Sequence, residues 1–258
     1  MKYETLLLEQ REKIGFITLN RPKQLNTFNT VLAGELNHAL DAYEADPDVR
    51  VVVIRGEGKA FCAGIDVNEL AGKQCLEYYH WVGRMEEMAL RISKMGIPVI
   101  ASVHDLAIAN GIAIVAAADL AVAAAGARFG ATAVNIGLFC MGPAVPLARN
   151  LGRKKALELL LTGDMIDAEE AYRIGLVNKV VPPAELAAET NALAAKLAQK
   201  SPLALQLGKK SFYKMQDLEY GKALEMANNH FALLCSAEDA HEGVDAFLNK
   251  RTPTWKMK

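Results

Sequence analysis

Aromatic side chains are scarce in this sequence, at 7% of 258 residues, although 52% are hydrophobic. The interior must therefore be built from small aliphatic groups, which suits tightly packed helices and sheet better than a loop-rich scaffold. An excess of one charge is also lacking. The formal net charge of −1 removes any general attraction to nucleic acid or to an anionic membrane. The four cysteines, Cys62, Cys75, Cys140 and Cys235, form no CxxC pair, so neither a disulfide framework nor a zinc knuckle is indicated. They read as reduced thiols of a cytoplasmic protein. The opening "MKYETLLLEQREKIGFITLNRP" has no unbroken apolar stretch of the secretory kind and no Arg/Ser-rich, acid-poor character.

Several chemistries lack their motif. "GEGKA" follows a strand-like run but is neither GxxxxGK[ST] nor GxGxxG. The five histidines (His38, His80, His104, His230 and His241) show no HExxH or other metal spacing, and no metal site is expected. No serine stands in a GxSxG elbow. The apolar run from Leu106 to Ala127 is long enough to suggest a membrane span, but Asn110, Gly111 and Asp119 interrupt it. A charged group at bilayer depth costs about 2.5 kcal/mol or more. The run reads as buried core.

What is present alternates strand and helix. "TLLLEQ" and "IGFITLN" read as short strands. "NTVLAGELNHALDAYEADP" follows with helical spacing, Val31, Leu32, Leu36, Ala39, Leu40 and Tyr43 sharing a face before Pro47. "VRVVVIRG" and "IPVIASV" are apolar strands of the fully buried kind, separated by a long helix through "CLEYYHWVGRMEEMALRISKM". This order predicts an α/β architecture with crossover connections. Beyond about Pro183 the pattern is helical, with breaks at Ser201-Pro202 and around Ser236.

Two small-residue turns stand out, each after an apolar strand: "FCAGID" (Phe61 to Asp66) and "LAIANGI" (Leu106 to Ile112). Glycine in such turns lets the backbone approach a ligand and turns its N–H groups outward. Two converging N–H donors form an oxyanion hole, which stabilises charge developing on a carbonyl oxygen. On spacing alone, a plain strand-to-helix turn is the simpler account of each glycine.

The ordered set "ITLNRPKQLNTFN", "GKAFCAGID", "PVIASV", "DLAVAAAGARFG", "LLLTGDMIDAEEAYRIGLVNKVVP" and "EGVDAFLNKRTPTW" resembles the enoyl-CoA hydratase/isomerase (crotonase) superfamily from about Tyr3 to Trp255. "VNIGLFCMGPAVPLAR" resembles a divergent subgroup of it. The resemblance implies a spiral of β-β-α turns over residues 1–200 and a helical oligomerisation region over 201–258. It also implies a homotrimer or dimer of trimers that takes an acyl-CoA thioester and holds no tightly bound cofactor. Nucleic acid and membrane are not expected partners.

In that family two backbone N–H groups hold the thioester carbonyl, and they carry over to Ile65 and Asn110. "ANG" stands where relatives have a glycine run, so Asn110 is expected to adopt the unusual dihedrals there. The two glutamates used by hydratases fall on Ala113 and Ala133. Coenzyme A contacts carry over to Lys23, Gln24 and Leu25, to Ala63, Gly64 and Asp66, to Gly111, and to Phe247 and Lys250. Candidate substitutes for those acids are Asp66, Glu69, His80, His104, Asp105, Asn135 and Cys140, with packing or loop roles as the plainer reading of each.

Positioned acid–base groups contribute about 10²–10⁴ in rate, so two-glutamate hydration is not expected. Three readings follow. The first is non-standard acyl-CoA chemistry at the oxyanion hole, such as decarboxylation or thioester hydrolysis. The second is hydratase or isomerase activity with a carboxylate from elsewhere. The third is non-catalytic acyl-CoA binding or assembly.

Overall fold

The computed structural model describes residues 2–258. The chain opens with β1 (Leu6–Arg11) and β2 (Ile14–Leu19), followed by α1 (Thr30–Ala45). The side chain of Asn29 caps α1 by accepting the Leu32 N–H. Leu32, Leu36, Ala39, Leu40 and Tyr43 are buried as the spacing predicts, whereas Val31 is 42% exposed.

Three β-β-α turns come next. They are β3 (Val51–Gly56), β4 (Ala60–Cys62) and α2 (Cys75–Lys94); β5 (Val99–Val103), β6 (Leu106–Ile108) and α3 (Asn110–Ala117); and β7 (Leu120–Ala124), β8 (Arg128–Gly130) and α4 (Met141–Leu151). After α5 (Arg153–Thr162), β9 (Met165–Asp167), α6 (Ala168–Arg173) and β10 (Lys179–Val181) close the sheets. The remainder is helical: α7 (Leu186–Ala198), α8 (Pro202–Met215), α9 (Tyr220–Cys235) and α10 (Glu238–Leu248). The helix breaks fall at Ser201, which caps α8, and at Ser236.

The first strand of each turn joins one sheet, of order β1-β2-β3-β5-β7-β10, and the second joins another, of order β4-β6-β8-β9. Pairing is parallel from β2 through β10 in the larger sheet. Its middle strands are largely apolar because both faces are covered, with Arg55 at the end of β3 and Ser102 in β5 as the polar exceptions. One face packs against α1 to α4, and the other packs Phe16, Val53, Ile100 and Val122 under Leu186 and Ala194 of α7. This stacking is the spiral of β-β-α turns, and it sets the ends of β4 and β6 side by side.

The C-terminus is tied to the helices by Asp239, which is 3% exposed. Its carboxylate accepts Ser201 Oγ and the N–H of Lys256, both at 2.7 Å, and that of Met257 at 3.2 Å. Asp239→Ala is expected to cost about 2 kcal/mol and to speed amide exchange in the last residues, read by mass spectrometry. Among the described residues, no helix is long and apolar enough to cross a membrane.

Candidate active site

The first turn leaves β4 at Cys62 and is pinned on both sides. Ala63 donates its N–H to Leu25 O (3.0 Å), Phe28 donates to Gly64 O (2.7 Å), and Asp66 donates to Phe28 O (2.9 Å). Gly64 has φ +90°, and a Cβ there would stand 2.9 Å from the Cβ of Ala109. The second turn leaves β6 and enters α3. Gly111 lies so close to β4 that an added Cβ would fall 2.2 Å from Cys62 O. The spiral thus presses the two turns together.

Several backbone donors of the two turns are left without a partner among the described residues, and among them those of Ile65 and Asn110 belong to residues that line a cavity. Neither the Ile65 nor the Asn110 N–H bonds a described residue. That of Asn110 is free because it opens α3, where no preceding carbonyl is in reach. Both residues line one cavity of about 670 Å³. The Asn110 side chain is buried as well, and its Nδ2 has no partner. An orphaned buried amide costs about 1–3 kcal/mol.

The unusual dihedrals fall one residue earlier than expected. Asn110 is helical, while Ala109 has φ 48° and ψ −112°. The α-helix can start at Asn110 only if the reversal from β6 is taken before it, so Ala109 carries strain of about 1–3 kcal/mol.

The two alanines to which the resemblance assigns the hydratase glutamates differ in setting. Ala133 lines the cavity, but Ala113 is 0% exposed in the core and does not. Asp66 is engaged elsewhere, with Arg21 Nη2 at 3.0 Å and both nitrogens of Asn68 on its carboxylate. Burial pulls its pKa up, but these hydrogen bonds outweigh burial and hold it below the usual range. Glu69 accepts from Thr30 and from Trp81 Nε1. His80 is exposed on α2, edge-on to Tyr79. His104 Nε2 meets Gly58 O, Asp105 is exposed, and Asn135 donates to Gly163 O. Cys140 does line the cavity, but burial pushes its thiol up, away from the nucleophilic thiolate.

The coenzyme A candidates are dispersed. Lys23 and Gln24 border a separate surface depression, and Leu25 joins them to the first turn only through its carbonyl. Phe247 is 82% exposed beside an apolar groove near Trp255, and Lys250 is exposed. Neither lines the cavity of Ile65 and Asn110 within this chain.

The residue that sequence reasoning missed is Glu86, whose side chain comes from α2 into this cavity. It makes no hydrogen bond or ion pair to a described residue, and burial pushes its carboxyl up to about 7. A signal was available. On α2, Tyr78, Val82, Met85 and Ala89 flank it at helical spacing, so a lone acid interrupts an otherwise apolar flank.

Residues 9–258 match the family described as enoyl-CoA hydratase/isomerase. The chain belongs to that family. Human enoyl-CoA hydratase domain-containing protein 3, mitochondrial, is 39% identical over 248 residues, covering 95% of this chain and 82% of that protein. Its crystal structure superposes with a TM-score of 0.94 at 38% identity, over 98% of this chain and all of that one. The crotonyl-CoA hydratase of Syntrophomonas wolfei is 35% identical over the full length of both chains. An enoyl-CoA hydratase structure from Mycobacterium smegmatis has a TM-score of 0.94 at 40% identity, over 98% and 99% of the two chains. In this hydratase/isomerase chain the two glycine-bearing turns frame a cavity whose acid stands on a different helix from the positions at 113 and 133.

Proposed function

We propose that this protein is an enzyme that binds an acyl-CoA thioester with its carbonyl oxygen between the N–H groups of Ile65 and Asn110, which stabilise the enolate formed from it. The observation that carries this reading is the pair of unpartnered donors on the wall of one largely apolar cavity. Each such donor is worth roughly 3–4 kcal/mol to a developing oxyanion. The positive end of α3 behind Asn110 adds to the pull on that charge.

The names of the relatives support a thioester ligand, and no bound cofactor is part of the proposal. Alanine at 113 and 133 argues against hydration by two glutamates. Of the remaining chemistries, a carboxylate from elsewhere fits better than decarboxylation or hydrolysis, because Glu86 is in the cavity. The coenzyme A moiety would run past residues 63–66 toward Lys23 and Gln24.

Phe247 and Lys250 would reach the site of a second subunit, in a trimer or dimer of trimers. No residue of α9 is buried, and Tyr220, Phe231 and Leu233 stand 60–77% exposed along it. A cytoplasmic setting accords with four unpaired thiols.

Infrared spectroscopy of butyryl-CoA labelled with ¹³C at the carbonyl tests the reading. The bound carbonyl stretch is expected to move to lower wavenumber than in water, as two N–H donors polarise it. An unshifted band, or equal affinity for coenzyme A alone, would remove the proposed hole.

A further inference from the structure

The cavity lined by Ile65 and Asn110 contains one carboxyl group, that of Glu86, and no described residue neutralises it. Room for it is made by Gly142, in the first turn of α4. A Cβ built on Gly142 would stand 1.7 Å from Glu86 Cδ and 2.0 Å from each carboxyl oxygen. Any side chain at 142 would displace the acid.

Glu86 and Gly142 also border a second cavity, of about 690 Å³, lined by Ala116, Ala117, Val145 and Phe212. The two cavities share these two residues. The Glu86 carboxyl group packed on Gly142 therefore stands at the boundary between the two cavities. A chain anchored by its carbonyl at Ile65 and Asn110, and continuing into the second cavity, would carry the carbons next to the carbonyl past it.

No other group on these walls is free to move a proton. Tyr78 donates its hydroxyl to Leu70 O, and the Cys140 thiol is held protonated by burial. In the second cavity Lys209 is paired with Asp119, Tyr213 donates to Asp119, and Arg149 is paired with Asp217. Addition of water across a double bond uses one group to activate water and another to deliver a proton. A shift of the double bond along the chain needs only one group that removes a proton and returns it.

We propose that Glu86 is the catalytic proton-transfer residue of this site, acting on 3-enoyl thioesters whose tails occupy the second cavity. The proposal rests on the thioester reading above. The carboxylate of Glu86 takes a proton from C2, and the C–H electron pair forms a dienolate whose charge rests on the thioester oxygen. As the carbonyl reforms, a C2=C3 bond is made and the former C3=C4 pair takes the proton back at C4. Nothing is oxidised or reduced, and neither water nor cofactor is consumed. With its carboxyl near 7, Glu86 populates both the accepting and the donating form at neutral pH.

The experiment compares the wild-type protein, Glu86→Gln and Gly142→Ala. It uses trans-3-hexenoyl-CoA in D₂O, following conjugated product by ultraviolet absorbance and deuterium by mass spectrometry. The wild type is expected to form 2-hexenoyl-CoA. Glu86→Gln should lower kcat about 10²–10⁴-fold with KM changed much less, and should abolish the rise of rate with pH near 7. Gly142→Ala should lower kcat as well.

A second readout does not depend on activity. The folded-state pKa of Glu86 is raised above its ordinary value of 4.5, so the folded wild type loses stability as pH rises from about 4.5 to 7. The melting temperature of Glu86→Gln relative to wild type should therefore climb between pH 4.5 and pH 8. Unimpaired turnover in Glu86→Gln overturns the inference. Bound hexenoyl-CoA with a polarised carbonyl but no isomerisation in the wild type also overturns it, leaving the thioester reading intact. Absence of binding overturns both.

Discussion

Gly111→Ala is expected to destabilise the protein by about 3 kcal/mol or more, read as a lowered urea midpoint at unchanged slope. The added methyl would sit 2.2 Å from Cys62 O and 3.1 Å from Cys62 C and Cβ. None of these atoms can swing away, because Cys62 ends β4, pairs with Ala107 of β6 and is 0% exposed. Relief must come from separating α3 from β4. That separation moves the Asn110 N–H away from Ile65, and a displacement of about 1 Å can cost 10²-fold in rate. The infrared shift of a bound thioester should therefore shrink together with the stability. Gly34→Ala is the control: it lies within α1, where an added Cβ meets nothing within 4 Å, and it should gain about 0.5–1 kcal/mol. A Gly111→Ala protein as stable as wild type would mean that α3 and β4 are not held in this contact.

Lys209→Met should cost about 3–5 kcal/mol. Lys209 Nζ lies 2.6 Å from Asp119 Oδ2, with side-chain exposures of 8% and 16%, and also donates to Ile97 O at 2.8 Å. Asp119 in turn accepts the Val99 N–H at 2.7 Å and the Tyr213 hydroxyl at 3.0 Å. This cluster joins α8 to the start of β5 and the loop before β7. Burial drives the Lys209 pKa down despite the attraction of Asp119, so forming the buried pair carries a desolvation cost. Methionine keeps the stem and removes the charge, which leaves Asp119 buried without its counter-ion and Ile97 O without a donor. Lys209→Met/Asp119→Asn should recover part of the loss, since the amide can still accept from Val99 without a charge to neutralise. Urea unfolding of the single and double variants measures this. A loss below about 1 kcal/mol in the single variant would place the pair in water.

Ala133 lines the cavity and Ala113 does not, so introducing glutamate at the two positions to which the family resemblance assigns the hydratase acids is not one operation. Glutamate at 133 would enter the cavity beside Glu86, and two carboxyl groups there would raise one pKa further. Glutamate at 113 would first have to open a fully buried position. A proton-transfer group on α2 avoids both difficulties, because Glu86 already lines the cavity.

Some of this was set locally and therefore readable along the chain. The apolar runs of β3 and β5, the spacing within α1, the caps at Asn29 and Ser201, and the two small-residue turns all depend on neighbours a few residues away. That alanine stands at 113 and 133 is likewise plain in the chain, although only the family resemblance draws attention to those positions. The rest depends on contacts between elements far apart in sequence. Asp66 is held by Arg21, and Phe247 and Lys250 stand outside the cavity of their own chain. The strained residue is Ala109 and not Asn110, because α3 must begin where β6 meets Gly64. Glu86 looks from its own helix like one more charge in "RMEEM". Only the spiral, by packing α2 against α3 and setting Gly142 beside Glu86, partly buries that carboxyl and places it in the cavity lined by Ile65 and Asn110.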